Sequence, residues 1–232
     1  MIISNKHQFI YFFSIGNTAT RSMQTLMSEF HDDPDISVNF SAIPEIEKYV
    51  NDFGVLQNYK KPSQKIFLER EVTPRYLKGL FTNLGRGEDF EKYKKYATVR
   101  HPFQLIASIA RSNHLGYIID WSRFGECLRI VEHQWRAHGY DPVTLSRGQY
   151  KAYLEIGGEQ MIDKFLRMEK LKDDISETFK FIDTNKLKHF RHDYNTEYRT
   201  AWQREVGEGI IDIWQEDFKR FNYSFSSDGG FK

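Results

Sequence analysis

Apolar residues in this chain fall in short runs, and the runs switch between two periods. Phe9 to Ile15 is an apolar run that closes on Gly16, the pattern of a strand buried on both faces. Thr20 to Phe30 follows with Met23, Leu26, Met27 and Phe30 at helical spacing. Ile36 to Phe40 alternates and predicts a second strand, Pro44 to Phe53 a helix, and Lys65 to Glu69 a short strand. Thr73-Pro74 is a helix start, with a hydroxyl side chain at the N-cap and proline at the first helical position. Gly85 to Asp89 reads as a polar break. Tyr96 to Val99 predicts a strand, and Pro102 opens a helix to about Asn113. Ser122 to His138 reads as a long helix, Gln149 to Leu154 as a short one, and Gln160 to Leu166 as a strand. Leu171 to Ile182 is helical in pattern, and Arg191 to Tyr198 is polar loop. Glu205 to Phe221 predicts a closing helix with Ile210, Ile211, Ile213, Trp214, Phe218 and Phe221 on its apolar face. Strands alternating with helices predict an α/β fold: three layers, with a central parallel sheet between helices.

Composition narrows the class. A chain of 232 residues suits one domain, taken here as 1–232 with 224–232 a loose tail. The 33 basic and 32 acidic residues balance, which argues against a general nucleic-acid binder. The single cysteine, Cys127, allows no internal disulfide and no cysteine-rich metal site, so no metal is expected and a reducing, cytoplasmic setting is. Lys6-His7 before Phe9 to Ile15 mimics a signal peptide faintly, but the run is short, aromatic and lacks a small-residue cleavage site. No stretch approaches ~20 apolar residues, so no membrane association is expected.

Two polar turns carry the candidate chemistry. In the first, Gly16-Asn17-Thr18-Ala19-Thr20-Arg21-Ser22 links a strand to a helix start. Such a loop aims backbone N–H groups and the positive end of the helix dipole at an anion. Thr18, Thr20 and Ser22 add hydroxyl donors and Arg21 a fixed cation. The G-x-x-x-x-G-K-[ST] pattern of ATP-binding loops is absent. In the second turn, Val99-Arg100 ends a strand, Pro102 opens a helix, and Ser108 lies two helical turns on. An arginine can give phosphate two parallel hydrogen bonds, and a serine hydroxyl a third.

The two turns together resemble the nucleotide-binding elements of sulfotransferases that use 3'-phosphoadenosine 5'-phosphosulfate (PAPS), in particular the carbohydrate and heparan type. That resemblance implies a P-loop-like sulfotransferase fold. It also implies that residues 16–22 hold the 5'-phosphosulfate and that Arg100 and Ser108 hold the 3'-phosphate. Thr20-Arg21 matches the family loop best, whereas its usual lysine falls on Asn17 and a glycine on Ala19. Glu69-Arg70-Glu71-Val72-Thr73-Pro74-Arg75-Tyr76 is similar to a Glu-Lys-Thr-Pro-x-Tyr stretch whose glutamate is the base, which places that role on Glu71. Glu69 is the alternative, and His133 and His138 are others because some sulfotransferases use histidine. Arg147-Gly148-Gln149-Tyr150, the segment around Glu169 and Leu171, and Asp217-Phe218 through Phe221 and Tyr223 resemble further family segments read as structural, with Arg147 able to reach an anionic ligand. The implied activity is sulfuryl transfer from PAPS, with PAP as product and no metal, to a hydroxyl or amine of a small-molecule or glycan acceptor. Arg21 and Glu71 are the implied catalytic residues. Two rivals stay open: a nucleotide-binding protein without turnover, suggested by Asn17, and a P-loop kinase.

Overall fold

A computed structural model describes residues 1–13, 19–38, 66–68, 72–105, 108, 148–151, 153–154, 158–187, 211–212 and 214–224, with the backbone alone at Arg21, Ser37, Phe67 and Leu68. The helices expected at 44–53 and 122–138, the loop at 191–198, Cys127 and the tail beyond 224 lie outside these residues.

The main sheet is mixed, with four strands in the order β1-β2-β5-β6. They are β1 (Ile2–Ser4), β2 (Phe9–Phe12), β5 (Lys94–Val99) and β6 (Lys164–Arg167). β2, β5 and β6 run parallel, while β1 is an antiparallel edge joined to β2 by a tight turn in which Gln8 takes φ 53°. The wholly parallel sheet expected from the sequence is therefore corrected at this edge, where Met1, Ile2 and Ile3 are too short a run to signal a strand. β3 (Ile36–Val38) and β4 (Ile66–Leu68) form a separate parallel pair. The chain thus has α/β architecture.

Strand β2 shows why. Phe9, Tyr11 and Phe13 point into one apolar cluster with Met23, Leu26 and Met27 of α1 (Thr20–Met27) and with Leu171 and Ile175 of α4 (Leu171–Thr178). Ile10 and Phe12 point into the other, with Leu77 and Phe81 of α2 (Pro74–Asn83), Phe90 of α3 (Gly87–Lys92), and Trp214. Side chains alternate across a strand, so a run apolar at every position needs cover on both faces. Each large buried side chain contributes about 1.5–3 kcal/mol relative to exposure.

Helix α2 begins as its sequence dictates. The Thr73 Oγ1 accepts from the Tyr76 N–H at 3.3 Å, and Pro74 occupies the first turn. The polar break expected over Gly85 to Asp89 is instead a turn followed by α3. Gly85 takes φ 71° after α2, and Phe90 buries itself in the core. Arg86 supplies what local propensity does not. Its guanidinium donates to Asp33 (2.9 and 3.1 Å), Asp35 (2.8 Å), Asp89 (3.1 Å) and the Asn5 side chain (3.3 Å). These carboxylates raise its pKa further. α4 ends at Thr178, short of the expected Ile182, yet Phe179 and Ile182 still enter the core. The expected closing helix is broken at Trp214, a non-helical residue (φ −113°, ψ 30°) before α5 (Gln215–Arg220). Among the described residues no helix is long and apolar enough to cross a membrane.

Candidate functional site

The register of the sheet brings the two candidate turns together. Phe12 at the end of β2 pairs with Ala97, and Arg100 follows three residues later at the end of β5. Both strands therefore release their chains at the same edge. In parallel α/β sheets, ligands bind in the crevice beyond the carboxyl ends of the strands.

At the first turn, Ala19 caps α1 with its carbonyl, which accepts from the Met23 N–H at 3.0 Å. Ala19 has φ 60° and ψ 24°, the left-handed conformation that glycine adopts freely and other residues adopt at a cost of about 1–2 kcal/mol. The backbone thus keeps a glycine conformation where the resembling loops carry glycine. α1 has no side-chain cap and no acidic residue in its first turn. Thr20 Oγ1 is buried with no hydrogen-bond partner among the described residues, and so are both amide atoms of Gln24, one turn along the same face. Ser22 is buried beside them in sequence. Gly16, Asn17 and Thr18 lie outside the described residues. Arg21 is placed in α1, and nothing is described of its side chain.

The second turn is held by side chains from the last third of the chain. Arg100 donates its N–H to Gln149 Oε1 (2.8 Å), and its carbonyl accepts from Gln149 Nε2 (2.6 Å). Gln149 is held in turn by Asp217 of α5, whose Oδ2 accepts from the Gln149 N–H at 2.7 Å and whose Oδ1 accepts from the Tyr150 N–H at 2.8 Å. The Arg100–His101 peptide is also held at its N–H end. The His101 N–H donates to Glu169 Oε1 (2.7 Å), and Tyr223 Oη donates to Glu169 Oε2 (3.0 Å). β6 brings Glu169 there, because Arg167 pairs with Val99. Residues 102–105 are helical, and Ser108, also helical, is buried.

Burial sets the electrostatics. It pushes the Asp217 carboxyl up to about 6, against three hydrogen bonds that favour the charged form. It pushes the His101 imidazole down to about 4, so the ring is neutral at pH 7. That ring sits among Phe103, Phe218 and Tyr223, with centroids 4.9 to 5.6 Å away. His101 is a core residue.

The structure thus brings Arg100 and the entry of α1 to one end of the sheet. The candidate bases Glu71, Glu69, His133 and His138, and also Arg147, lie outside the described residues. Near Glu71 in sequence, Arg75 Nη2 donates to the Leu154 carbonyl at 3.0 Å. Sequence reasoning missed the part played by Gln149, Asp217 and Glu169. Their segments were read as structural, and nothing in the sequence pointed to the contacts these three side chains make. Among the described residues no group of three or more His, Cys, Asp or Glu side chains could hold a metal ion. No family model, curated protein or solved structure matches this chain.

Proposed function

We propose that this protein is a PAPS-dependent sulfotransferase with a P-loop-like fold, acting on a hydroxyl or amine of a small-molecule or glycan acceptor. The observation that carries the reading is the pairing of β2 with β5. It delivers a strand-to-helix loop and a buried Arg100 to one sheet edge, in the order the resembling enzymes use. The residues present suit an anionic nucleotide. The first turn of α1 holds no carboxylate, Thr20 offers a buried hydroxyl with no partner among the described residues, and Arg100 and Ser108 are both buried.

In this reading the residues 16–22 receive the 5'-phosphosulfate through backbone N–H groups and hydroxyls. Arg100 and Ser108 hold the 3'-phosphate. The acceptor oxygen or nitrogen attacks sulfur as the bond from sulfur to the bridging oxygen breaks. Glu71 takes the acceptor proton, and the electron pair leaves on the bridging oxygen of PAP. Charge grows on that oxygen, and Arg21 is the cation that stabilises it. Asn17, where related loops carry lysine, favours a second reading: a protein of the same fold that binds the nucleotide without turning it over.

Thermal shift with PAP, PAPS, ATP and GTP tests the assignment. A ligand that binds the native state raises its melting temperature. Stabilisation by PAP and PAPS above that by ATP is expected, and stabilisation by ATP with none by PAP rejects it. Turnover of PAPS over a panel of sugar and small-molecule acceptors then separates the enzyme from the binding protein.

A further inference from the structure

Asp217 is an unusual residue to find at 0% exposure on a short helix. Among the described residues it has no cationic partner within hydrogen-bonding reach; its hydrogen-bond partners are N–H groups. Its two oxygens are divided between two peptides: Oδ2 takes the Gln149 N–H at 2.7 Å and the Gln149 Nε2 at 3.3 Å, and Oδ1 takes the Tyr150 N–H at 2.8 Å. The approach is so close that a side chain at position 148 is excluded. Gly148 has φ 82°, and a Cβ there would lie 2.9 Å from Asp217 Oδ1. Gln149, also at 0% exposure, uses its side-chain amide on Arg100 as well as on Asp217, accepting from the Arg100 N–H and donating to the Arg100 carbonyl.

A buried carboxylate is costly, and an apolar residue of similar size would serve packing better. What the carboxylate adds is direction. Its acceptors fix Gln149 in one rotamer, and Gln149 can then meet both polar groups of a single residue. That residue is the cation at the carboxyl edge of the sheet. We propose that Asp217 is a positioning residue, which acts through Gln149 to fix the Arg100 peptide and so aims the Arg100 guanidinium at its anionic ligand. The proposal rests on the reading that Arg100 holds an anionic group of the nucleotide. The Glu169 contact to the His101 N–H holds the far end of the same Arg100–His101 peptide, so it is the Arg100 N–H, held by Gln149, that depends on the strut through Asp217.

Amide exchange followed by NMR, together with calorimetry of PAP binding, tests this. In the wild-type protein the Arg100, Gln149 and Tyr150 amides are expected to exchange at rates within about threefold of one another, as one unit. Asp217→Asn offers one oxygen where two are used and turns an N–H₂ toward a donor. The expected result is a loss of Arg100 amide protection of about tenfold or more, although position 217 does not touch Arg100, and a loss of PAP affinity of about tenfold. In an Arg100→Ala background the same substitution is expected to change affinity less than about twofold. If Asp217→Asn fails to fold, Gln149→Leu carries the same comparisons. An Arg100 amide unchanged by either substitution, or an affinity loss equal with and without Arg100, overturns the proposal. If wild type binds no PAP at all, the nucleotide reading falls, and the exchange measurements alone decide whether Asp217 positions Arg100.

Discussion

Two polar regions of this protein are built in opposite ways. Around Arg86 the accounting is complete. The guanidinium reaches Asp33, Asp35, Asp89 and Asn5, and the hub ties the β1–β2 turn, the entry to β3 and the start of α3 together. At the entry of α1 the fold leaves matters open. Ala19 sits in a left-handed conformation, and Thr20 Oγ1 and the Gln24 amide are buried without partners among the described residues. Buried polar groups are ordinarily satisfied, and unsatisfied ones collect at functional sites. The Arg86 region serves stability. At the α1 entry no hydrogen bond among the described residues offsets the burial of these groups.

The largest effect should come from breaking the hub. Arg86→Met leaves Asp33, whose side chain is fully buried, without its cation. A loss of about 3–5 kcal/mol is expected by urea denaturation, with PAP affinity per folded molecule unchanged. A loss below about 1 kcal/mol would show that the hub is only a surface network.

The next effect is in pH dependence near the second turn. Asp217 binds its proton more tightly when folded, so its contribution is fully present below pH 3.8 and is lost as pH rises through about 6. His101 has the opposite sign: its contribution is present above pH 6.5 and is lost as pH falls through about 4. The two oppose each other between pH 4 and 6. Removing the histidine in His101→Phe is therefore expected to make the variant gain stability over wild type, by about 2–3 kcal/mol, as pH is lowered across that window. A difference that stays flat with pH would place the His101 ring in contact with water.

Arg100→Ala sharpens the contrast between the two arginines. Arg86 uses its side chain to hold the side chains of others, whereas the Arg100 backbone is itself held by the side chain of Gln149. A charged hydrogen bond contributes about 1.5–3 kcal/mol, so PAP affinity should fall roughly tenfold or more. Stability should fall by less than it does in Arg86→Met. Unchanged affinity in calorimetry would remove Arg100 from the site.

The smallest effect tests the open region itself. Gln24→Leu replaces two unsatisfied amide atoms by apolar ones of similar size, and a gain of about 1 kcal/mol in the ligand-free protein is expected. A clear loss in thermal melting would mean that the Gln24 amide is satisfied in solution.

Much of the fold was legible because the signals were local. Proline after Thr73 marked α2, the apolar run at Phe9 marked β2, and the Met23, Leu26 and Met27 spacing marked α1. Where local signals are silent the reading failed. α3 has one buried apolar residue, Phe90, and a start held by Arg86 contacts that come from distant parts of the chain. β1 is three residues long and exists because β2 offers it an edge.

The same division holds for the candidate site. The sequence by itself offered residues of a type suited to an anion: a hydroxyl-rich turn at Thr20 and Ser22, and an arginine shortly before Pro102 at Arg100. Those are properties of residue type and spacing. Only the tertiary structure decided that the turns share a sheet edge, because strand pairing is a contact between residues some 85 positions apart. It also decided that Gln149, itself held by Asp217, and Glu169 hold the backbone at Arg100 and His101. Hydrogen bonds across such separations leave no period in the chain, since each needs only one suitable side chain at one position.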